Sequence, residues 1–143
     1  MIKKGIVLAG GTGSRMSPIT KAVNKQLLPL YDKPLFFYPL SVLMLAGIKD
    51  ILIIVNKGQI EQFKKVLPNG NNLGLKITYA EQEKPKGLPD AFIVGQKFIG
   101  NNSVALILGD NFFFGQSLTK KLIKCTSLTK GAKVFLHPVR NPS

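Results

Sequence analysis

Five short runs of apolar, largely β-branched residues alternate with amphipathic stretches along this chain. Each run is apolar almost throughout and is followed by polar or glycine-rich residues, as expected of strands that are buried on both faces. Such alternation favours a mostly parallel sheet with helices on its two faces, so we predict one three-layer α/β/α domain over residues 1–143. The predicted strands are Gly5–Ala9, Asp50–Val55, Lys76–Tyr79, Val104–Leu108 and Lys133–His137, and the predicted helices are Pro39–Ala46, Gln59–Val66, Pro89–Phe98 and Ser117–Cys125.

Composition narrows the class of protein. The formal net charge of +13 attracts polyanions, so nucleic acid and nucleoside triphosphates are both candidate partners. Because the lysines are scattered and no helix-turn-helix, zinc-finger or RNA-binding aromatic motif accompanies them, we expect no nucleic-acid partner. No apolar run approaches the ~18–20 residues of a membrane span. A single cysteine, Cys125, forms no internal disulfide, and we expect a cytoplasmic protein without a membrane partner.

A glycine-rich loop, Gly10 to Arg15, follows the first predicted strand, where Rossmann-like sheets bind their ligands. Three glycines in four positions let backbone N–H groups approach a phosphate closely, and Arg15 adds a forked cation. Met16 stands where a dinucleotide-binding fingerprint needs glycine, and the Gly-Lys-Ser/Thr ending of a Walker A loop is missing. The loop favours a phosphate site of another type, with a tight structural turn as the alternative.

Two charged residues occupy comparable positions elsewhere in the sequence. Lys25 follows a polar loop and precedes an apolar run, which suits a lysine directed back at phosphates, although a lone lysine is more often a surface residue. Asp110 comes directly after the fourth predicted strand, with Gly109 before it to permit a close turn. A carboxylate there is well placed to hold Mg²⁺ against a triphosphate. A helix cap or an Asx turn is the structural alternative.

Four stretches in this order resemble the sugar nucleotidyltransferase family, and within it the glucose-1-phosphate thymidylyltransferase branch. They are Leu8–Pro18, Lys25–Pro34, Tyr38–Ile54 and Leu108–Asn111. The glycine loop is shared by the whole family, whereas the second and third stretches are more specific to this branch. The resemblance implies nucleotidyl transfer from dTTP to glucose 1-phosphate, with Mg²⁺ as cofactor, giving dTDP-glucose and pyrophosphate.

The resemblance also implies roles for individual positions. Arg15, Lys25 and Asp110 would be catalytic, with Arg15 assisting pyrophosphate departure, Lys25 beside the reacting phosphates and Asp110 as the Mg²⁺ ligand. Gln82 would hydrogen-bond the thymine edge, and Gly87 would pass close to the base. The other nucleotide-binding positions would be Leu8, Gly10, Gly11, Thr12, Gly13 and Gln26, and the other substrate positions would be Leu108 and Asn111, which faces the sugar.

Two departures from the family pattern affect these expectations. Residues 87–91 read Gly-Leu-Pro-Asp-Ala where members commonly have Gly-Leu-Ala-Gln-Ala; proline and aspartate suit a helix start, but a carboxylate there leaves dTTP or UTP preference open. Members also continue for roughly as many residues again, so we expect an N-terminal nucleotide-binding portion of a truncated fold. The remainder would hold most of the sugar pocket, a second metal-binding aspartate and the contacts of the homo-oligomers that full-length relatives form. A catalytically impaired nucleotide-binding module and a UTP-using sugar-1-phosphate uridylyltransferase are the alternatives.

Overall fold

The computed structural model describes residues 1–140, and its strands and helices alternate largely as predicted. The strands are β1 (Lys4–Leu8), β2 (Pro29–Leu30), β3 (Lys33–Pro34), β4 (Asp50–Asn56), β5 (Lys76–Gln82) and β6 (Val104–Leu108). The α-helices are α1 (Phe37–Leu45), α2 (Ile60–Val66), α3 (Leu88–Val94), α4 (Gln96–Ile99) and α5 (Leu118–Thr126). Single turns of 3-10 helix cover Ser14–Met16, Ile19–Lys21, Lys25–Leu27 and Asn71–Leu73. None of these helices has the length and apolar character needed to cross a membrane.

Four strands form a parallel sheet in the order β5-β4-β1-β6. The pairing places Leu8 opposite both Ile54 and Leu108, so β1 ends level with β6 and two residues short of the end of β4. On the far side of β4, Gln82 at the end of β5 lies opposite Asn56. The chain segments that leave all four strands therefore meet at one edge of the sheet, where α/β folds bind their ligands.

Alternate side chains of the central strands enter two separate cores. Val7, Ile53 and Ile107 pack on one face with residues of α1, α2 and α5. Ile6 and Leu52 pack on the other face with residues of α3 and α4. Because successive side chains of a strand point to opposite faces, both must be apolar where helices cover both sides. This explains the continuous apolar runs and confirms the three-layer α/β/α fold.

The predicted strand Lys133–His137 is wrong. Residues 133–137 have no regular secondary structure, and Val134 and Leu136 are 75% and 88% exposed. A short apolar run becomes a strand only when a neighbouring strand accepts its hydrogen bonds and a second layer buries its side chains. Neither partner contacts this run within residues 1–140, so the sheet has four strands there where five were predicted.

Two smaller differences concern the remaining elements. The predicted helix Pro89–Phe98 is divided at Gly95 into α3 and α4. A Cβ at Gly95 would lie 2.9 Å from the Ala91 carbonyl oxygen and 3.1 Å from Ile6, so glycine permits the helices to pack closely on the sheet. The second difference is the two-residue antiparallel pair β2–β3, for which the sequence provided no strand signal.

Candidate active site

The hydrogen-bond ladder of the sheet continues one residue beyond β1 and places two candidate segments side by side. Ala9 N–H donates to the Ile54 carbonyl at 2.7 Å, and Gly109 N–H donates to the Leu8 carbonyl at 2.8 Å. A Cβ at Gly109 would lie 3.0 Å from the Ala9 Cα, which is too close without a backbone shift. Glycine therefore allows the segment after β6 to lie against the glycine-rich loop.

Lys25 and Asp110 form an ion pair at this edge. Lys25 Nζ donates to Asp110 Oδ2 at 2.8 Å, although the two residues are 85 positions apart in the sequence. Each side chain is 32% exposed. Since solvent screens a pair exposed to this degree, its contribution to stability is small, and what it provides is a fixed cation and carboxylate beside the glycine loop.

Asn24 holds the turn that carries Lys25. Its buried side chain donates through Nδ2 to the Ala9 carbonyl at 3.1 Å and to Gln59 Oε1 at 2.6 Å. Its Oδ1 accepts the Gln26 N–H at 2.8 Å and so caps the 3-10 turn that begins at Lys25. Asn24 was not predicted as a site residue. The sequence signal for this role was the asparagine itself, which is a preferred N-cap residue, directly before Lys25 and Gln26.

Asn56, the last residue of β4, holds the glycine loop itself. Its Oδ1 accepts the Gly11 N–H at 3.0 Å, and its Nδ2 donates to the Gly11 carbonyl at 2.8 Å. The Gln82 side chain donates through Nε2 to the same Oδ1 at 3.2 Å. A Cβ at Gly10 would lie 1.6 Å from Gln82 Nε2, so the amide rests directly on the Gly10 backbone. Asn56 was not predicted as a site residue, although it directly follows the predicted strand Asp50–Val55 at the sheet edge where ligands bind.

The outer part of the loop relies on left-handed glycines. Gly11 and Gly13 have φ values of 112° and 59°, which side chains rarely adopt. Thr20 Oγ1 donates to the Gly13 carbonyl at 2.8 Å. Arg15 lies beyond Gly13 on the 3-10 turn, is exposed, and makes no side-chain hydrogen bond or ion pair within residues 1–140. The structure therefore places Arg15 on the loop without bringing it to Lys25 and Asp110.

Two cavities adjoin the loop and the end of β6. The first, of about 500 Å³, is lined by hydroxyl, amide and backbone groups with Lys21, and by no carboxylate, which suits an anionic ligand. The second, of about 630 Å³, is bordered by Asp110 and Asn111 together with aromatic residues. Neither lining includes Lys25, which pairs with Asp110, or Gln82, which rests on the Gly10 backbone.

The family model described as nucleotidyl transferase matches residues 4–143 of this chain. The chain belongs to that family. It is 55% identical over 139 residues to glucose-1-phosphate thymidylyltransferase from Neisseria meningitidis serogroup A, an alignment that covers 97% of this chain and 48% of the relative. The chain thus spans about half the length of the curated relatives it matches.

Solved structures of nucleotidyl transferases agree with the fold. A Bacillus anthracis protein described as a glucose-1-phosphate thymidylyltransferase, crystallised with sucrose, has a TM-score of 0.78 and 38% identity, covering 87% of this chain and 50% of its own. A UDP-glucose pyrophosphorylase complexed with UDP-glucose has a TM-score of 0.72 and 31% identity, covering 89% of this chain and 53% of its own. Both matches confirm the α/β architecture of this nucleotidyl transferase chain.

Most of the remaining predicted positions of this nucleotidyl transferase chain lie at the same edge. Leu8 and Leu108 are paired strand ends and half-buried, and Thr12 lines the first cavity. Gln26 is buried, donates through Nε2 to the Gly10 carbonyl at 3.3 Å, and has an Oε1 that is buried without a hydrogen-bond partner within residues 1–140. Gly87 is exposed, with φ 90°, just before α3.

Asp110 is the predicted carboxylate ligand for a cation at this edge. Within residues 1–140, no group of three or more His, Cys, Asp or Glu side chains could form a metal cluster. Mg²⁺ commonly takes one or two carboxylates and completes its shell with phosphate oxygens and water, so a single aspartate fits this ion. Asp110 Oδ2 accepts from Lys25, which leaves Oδ1 as the atom available for it.

Proposed function

We propose that this chain carries the nucleotide-binding site of a glucose-1-phosphate thymidylyltransferase, which transfers a thymidylyl group from dTTP to glucose 1-phosphate. The observation that carries the proposal is the Lys25–Asp110 pair, 2.8 Å long, beside a glycine loop against which Gln82 packs. Together these residues bring a cation, a carboxylate, backbone N–H groups and an amide that can hydrogen-bond a base to one edge of the sheet. The relatives' names supply the substrates.

The reaction is an in-line displacement at phosphorus. A phosphate oxygen of glucose 1-phosphate attacks the α-phosphorus of dTTP, the new P–O bond forms, and the bond to pyrophosphate breaks with its electron pair on the departing oxygen. The sugar phosphate is already an anionic nucleophile, so no general base is needed. The site must hold two polyanions together and offset the charge of the transition state.

The charged residues divide this task. Lys25 Nζ, held by the Asn24-capped turn, is directed at the edge where the reacting phosphates would lie. Arg15 is exposed on the loop, so its role in pyrophosphate departure requires the loop to close over the triphosphate. Asp110 would hold Mg²⁺, whose charge offsets that of the triphosphate when it is bound.

Amide side chains would receive the nucleoside. Gln82 would hydrogen-bond the base, and the partnerless Gln26 Oε1 would accept a hydrogen from the nucleotide, since a buried acceptor is normally satisfied. Leu8, Gly10, Gly11, Thr12, Gly13 and Gly87 would border the nucleotide, and Leu108 and Asn111 the sugar phosphate.

The homo-oligomer expected for the longer relatives stays a prediction. The proposal includes a cytoplasmic location, supported by the single free Cys125.

Transfer from UTP is the second candidate function. It is favoured by the similarity to UDP-glucose pyrophosphorylase, and by the identical hydrogen-bonding edges of uracil and thymine. The curated thymidylyltransferase at 55% identity favours dTTP. Because the chain spans about half of its curated relatives, nucleotide binding without turnover is a third possible outcome.

One assay separates these outcomes. The purified chain is incubated with Mg²⁺, glucose 1-phosphate and either dTTP or UTP, and pyrophosphate release is followed beside calorimetric nucleotide binding. We expect faster release from dTTP, abolished by Lys25→Ala and unchanged by Lys64→Ala, which removes a surface lysine paired with Glu61 on α2. Faster release from UTP would establish the second candidate. Binding without release would establish a nucleotide-binding module, and absence of both would overturn the proposal.

A further inference from the structure

The pairing between Asn56 and Gly11 fixes the orientation of the Asn56 side-chain amide. The backbone of Gly11 offers one N–H and one carbonyl, and these cannot exchange places. Asn56 Oδ1 accepts the N–H at 3.0 Å while Nδ2 donates to the carbonyl at 2.8 Å. A flipped Asn56 would set its oxygen against the carbonyl and its NH₂ against the N–H, losing both bonds. The backbone polarity therefore determines which atom of Asn56 is the acceptor.

The orientation of Asn56 in turn determines that of Gln82. The fixed Oδ1 also receives the Gln82 side chain, which must present Nε2 because only the nitrogen donates. The Gln82 residue is 3% exposed and its amide rests on the Gly10 backbone, so it has little room to reorient. Gln82 Oε1 accepts no hydrogen bond within residues 1–140 and is not sealed from solvent. The acceptor of Gln82 is thus the atom left for a ligand, beside the second Nε2 hydrogen.

An amide fixed in this way distinguishes bases by the polarity of their edge. Thymine and uracil carry N3–H, a donor that Oε1 accepts, next to carbonyl oxygens that can take the second Nε2 hydrogen. Cytosine has an unprotonated N3 and an amino group, which require the reverse order of donor and acceptor. A glutamine free to rotate by half a turn would pair with either base, whereas a locked one favours the imide.

We propose that Asn56 is a specificity-determining positioning residue, which locks the Gln82 amide so that the site takes thymine or uracil in preference to cytosine. Asn56 acts through Gln82, and the same side chain holds Gly11 of the phosphate loop. Base selectivity and loop position therefore depend on one residue at the end of β4. The inference rests on the proposed function, in which Gln82 meets the base.

The test measures Kd for dUTP and dCTP in the presence of Mg²⁺, on the full 143-residue chain. These two nucleotides differ only in the base edge, so the thymine methyl group does not enter the comparison; dTTP is measured beside them. Asn56→Leu and Asn56→Ala remove both the acceptor and the donor. Asn56→Asp keeps an acceptor for Gln82 and for the Gly11 N–H but loses the hydrogen to the Gly11 carbonyl. Asn101→Asp introduces the same charge change at an exposed position before β6.

We expect the wild-type chain to prefer dUTP. Asn56→Leu and Asn56→Ala should reduce the dCTP/dUTP ratio of Kd values by about tenfold, because the released Gln82 amide can turn and replace a mismatch with cytosine by a hydrogen bond. Asn56→Asp should weaken both nucleotides by about tenfold or more, since a carboxylate faces the Gly11 carbonyl near the phosphates, while its ratio stays within about twofold of wild type. Asn101→Asp should change neither quantity.

The ratio protects the test against partial unfolding. An unfolded fraction raises the apparent Kd of both nucleotides by the same factor and leaves their ratio unchanged. A wild-type ratio retained in Asn56→Leu and Asn56→Ala overturns the inference while leaving the proposed function standing. Equal wild-type affinities for dUTP and dCTP also overturn it. A wild-type chain that binds no pyrimidine nucleotide overturns the proposed function and the inference together.

Discussion

The carboxyl edge of the sheet differs on its two sides. Around β4 and β5, the amides of Asn24, Gln26 and Gln82 are buried and, with Asn56, hold the glycine loop and the Lys25 turn through hydrogen bonds. Beyond β6, the chain exposes large apolar side chains: Phe112, Phe114, Val134, Phe135, Leu136 and Val139. Paired buried polar groups specify one arrangement, and Gln26 Oε1 is the one buried amide oxygen among them without a partner within residues 1–140. The exposed apolar side chains beyond β6 do not need partners of this kind, so they do not fix the conformation of that part of the chain. The chain therefore organises the proposed nucleotide side itself, while the side beyond β6 is left open.

The largest effect should come from the residue that joins the two sides. Asp110→Asn removes the partner of Lys25 and the carboxylate for Mg²⁺, and we expect pyrophosphate release to fall by about 10²–10³-fold, the usual cost of one electrostatic element. The free energy of unfolding should change by at most about 1 kcal/mol, because the ion pair is partly exposed. Asp32→Asn is the matched control, since Asp32 also pairs with a lysine but at a more exposed position. Equal losses in both variants would contradict the assignment.

Replacing one glycine by alanine on each side of the carboxyl edge tests whether the two sides differ in how tightly they are held. Gly10→Ala places a Cβ 1.6 Å from Gln82 Nε2 and must displace that amide, whereas Gly115→Ala, beyond β6, meets no atom within 4 Å. We expect Gly10→Ala to weaken dTTP binding by about tenfold or more, since displaced buried amides lose their partners. Gly115→Ala should bind as wild type. Similar calorimetric Kd values for the two variants would show that the loop is not held as described.

Alkaline pH offers a smaller test on the β5 side. Burial raises the pKa of Tyr79 from 10.0 to about 12, and its hydroxyl donates to the Leu67 carbonyl. Since the folded-state pKa lies above the unfolded value, the folded state binds the proton more tightly. The resulting stabilisation is complete below pH 10 and is lost as pH rises from 10 through 12. Chemical unfolding of wild type and Tyr79→Phe across this range should show a steeper decline for wild type. Parallel profiles would contradict the raised pKa of Tyr79.

The smallest effect is expected on the open side. Leu136 is 88% exposed, so Leu136→Ser should alter the free energy of unfolding by no more than about 0.5 kcal/mol. Denaturant unfolding of this variant and of wild type provides the measurement. A loss above about 1 kcal/mol would mean that the Leu136 side chain packs against the domain, and would remove the contrast between the two sides.

Most of the fold was predictable because its signals are local. Runs such as Ile51–Val55 are apolar at every position only if both faces of a sheet are covered, and the predicted three-layer arrangement is confirmed. Lys133–His137 carries a similar apolar pattern, yet a strand also needs a hydrogen-bonding neighbour, which a local pattern does not report. The same limit explains the unpredicted pair β2–β3.

By itself the sequence determined the alternation of strands and helices, the glycines at left-handed positions and the membership of the nucleotidyl transferase family. Only the tertiary structure decided which distant residues meet: Lys25 with Asp110 across 85 positions, and Asn56 with both Gly11 and Gln82. The reason is physical. Backbone preferences and apolar periodicity act between neighbours in the chain, whereas these contacts depend on strand order and register, which bring separate strand ends to one edge.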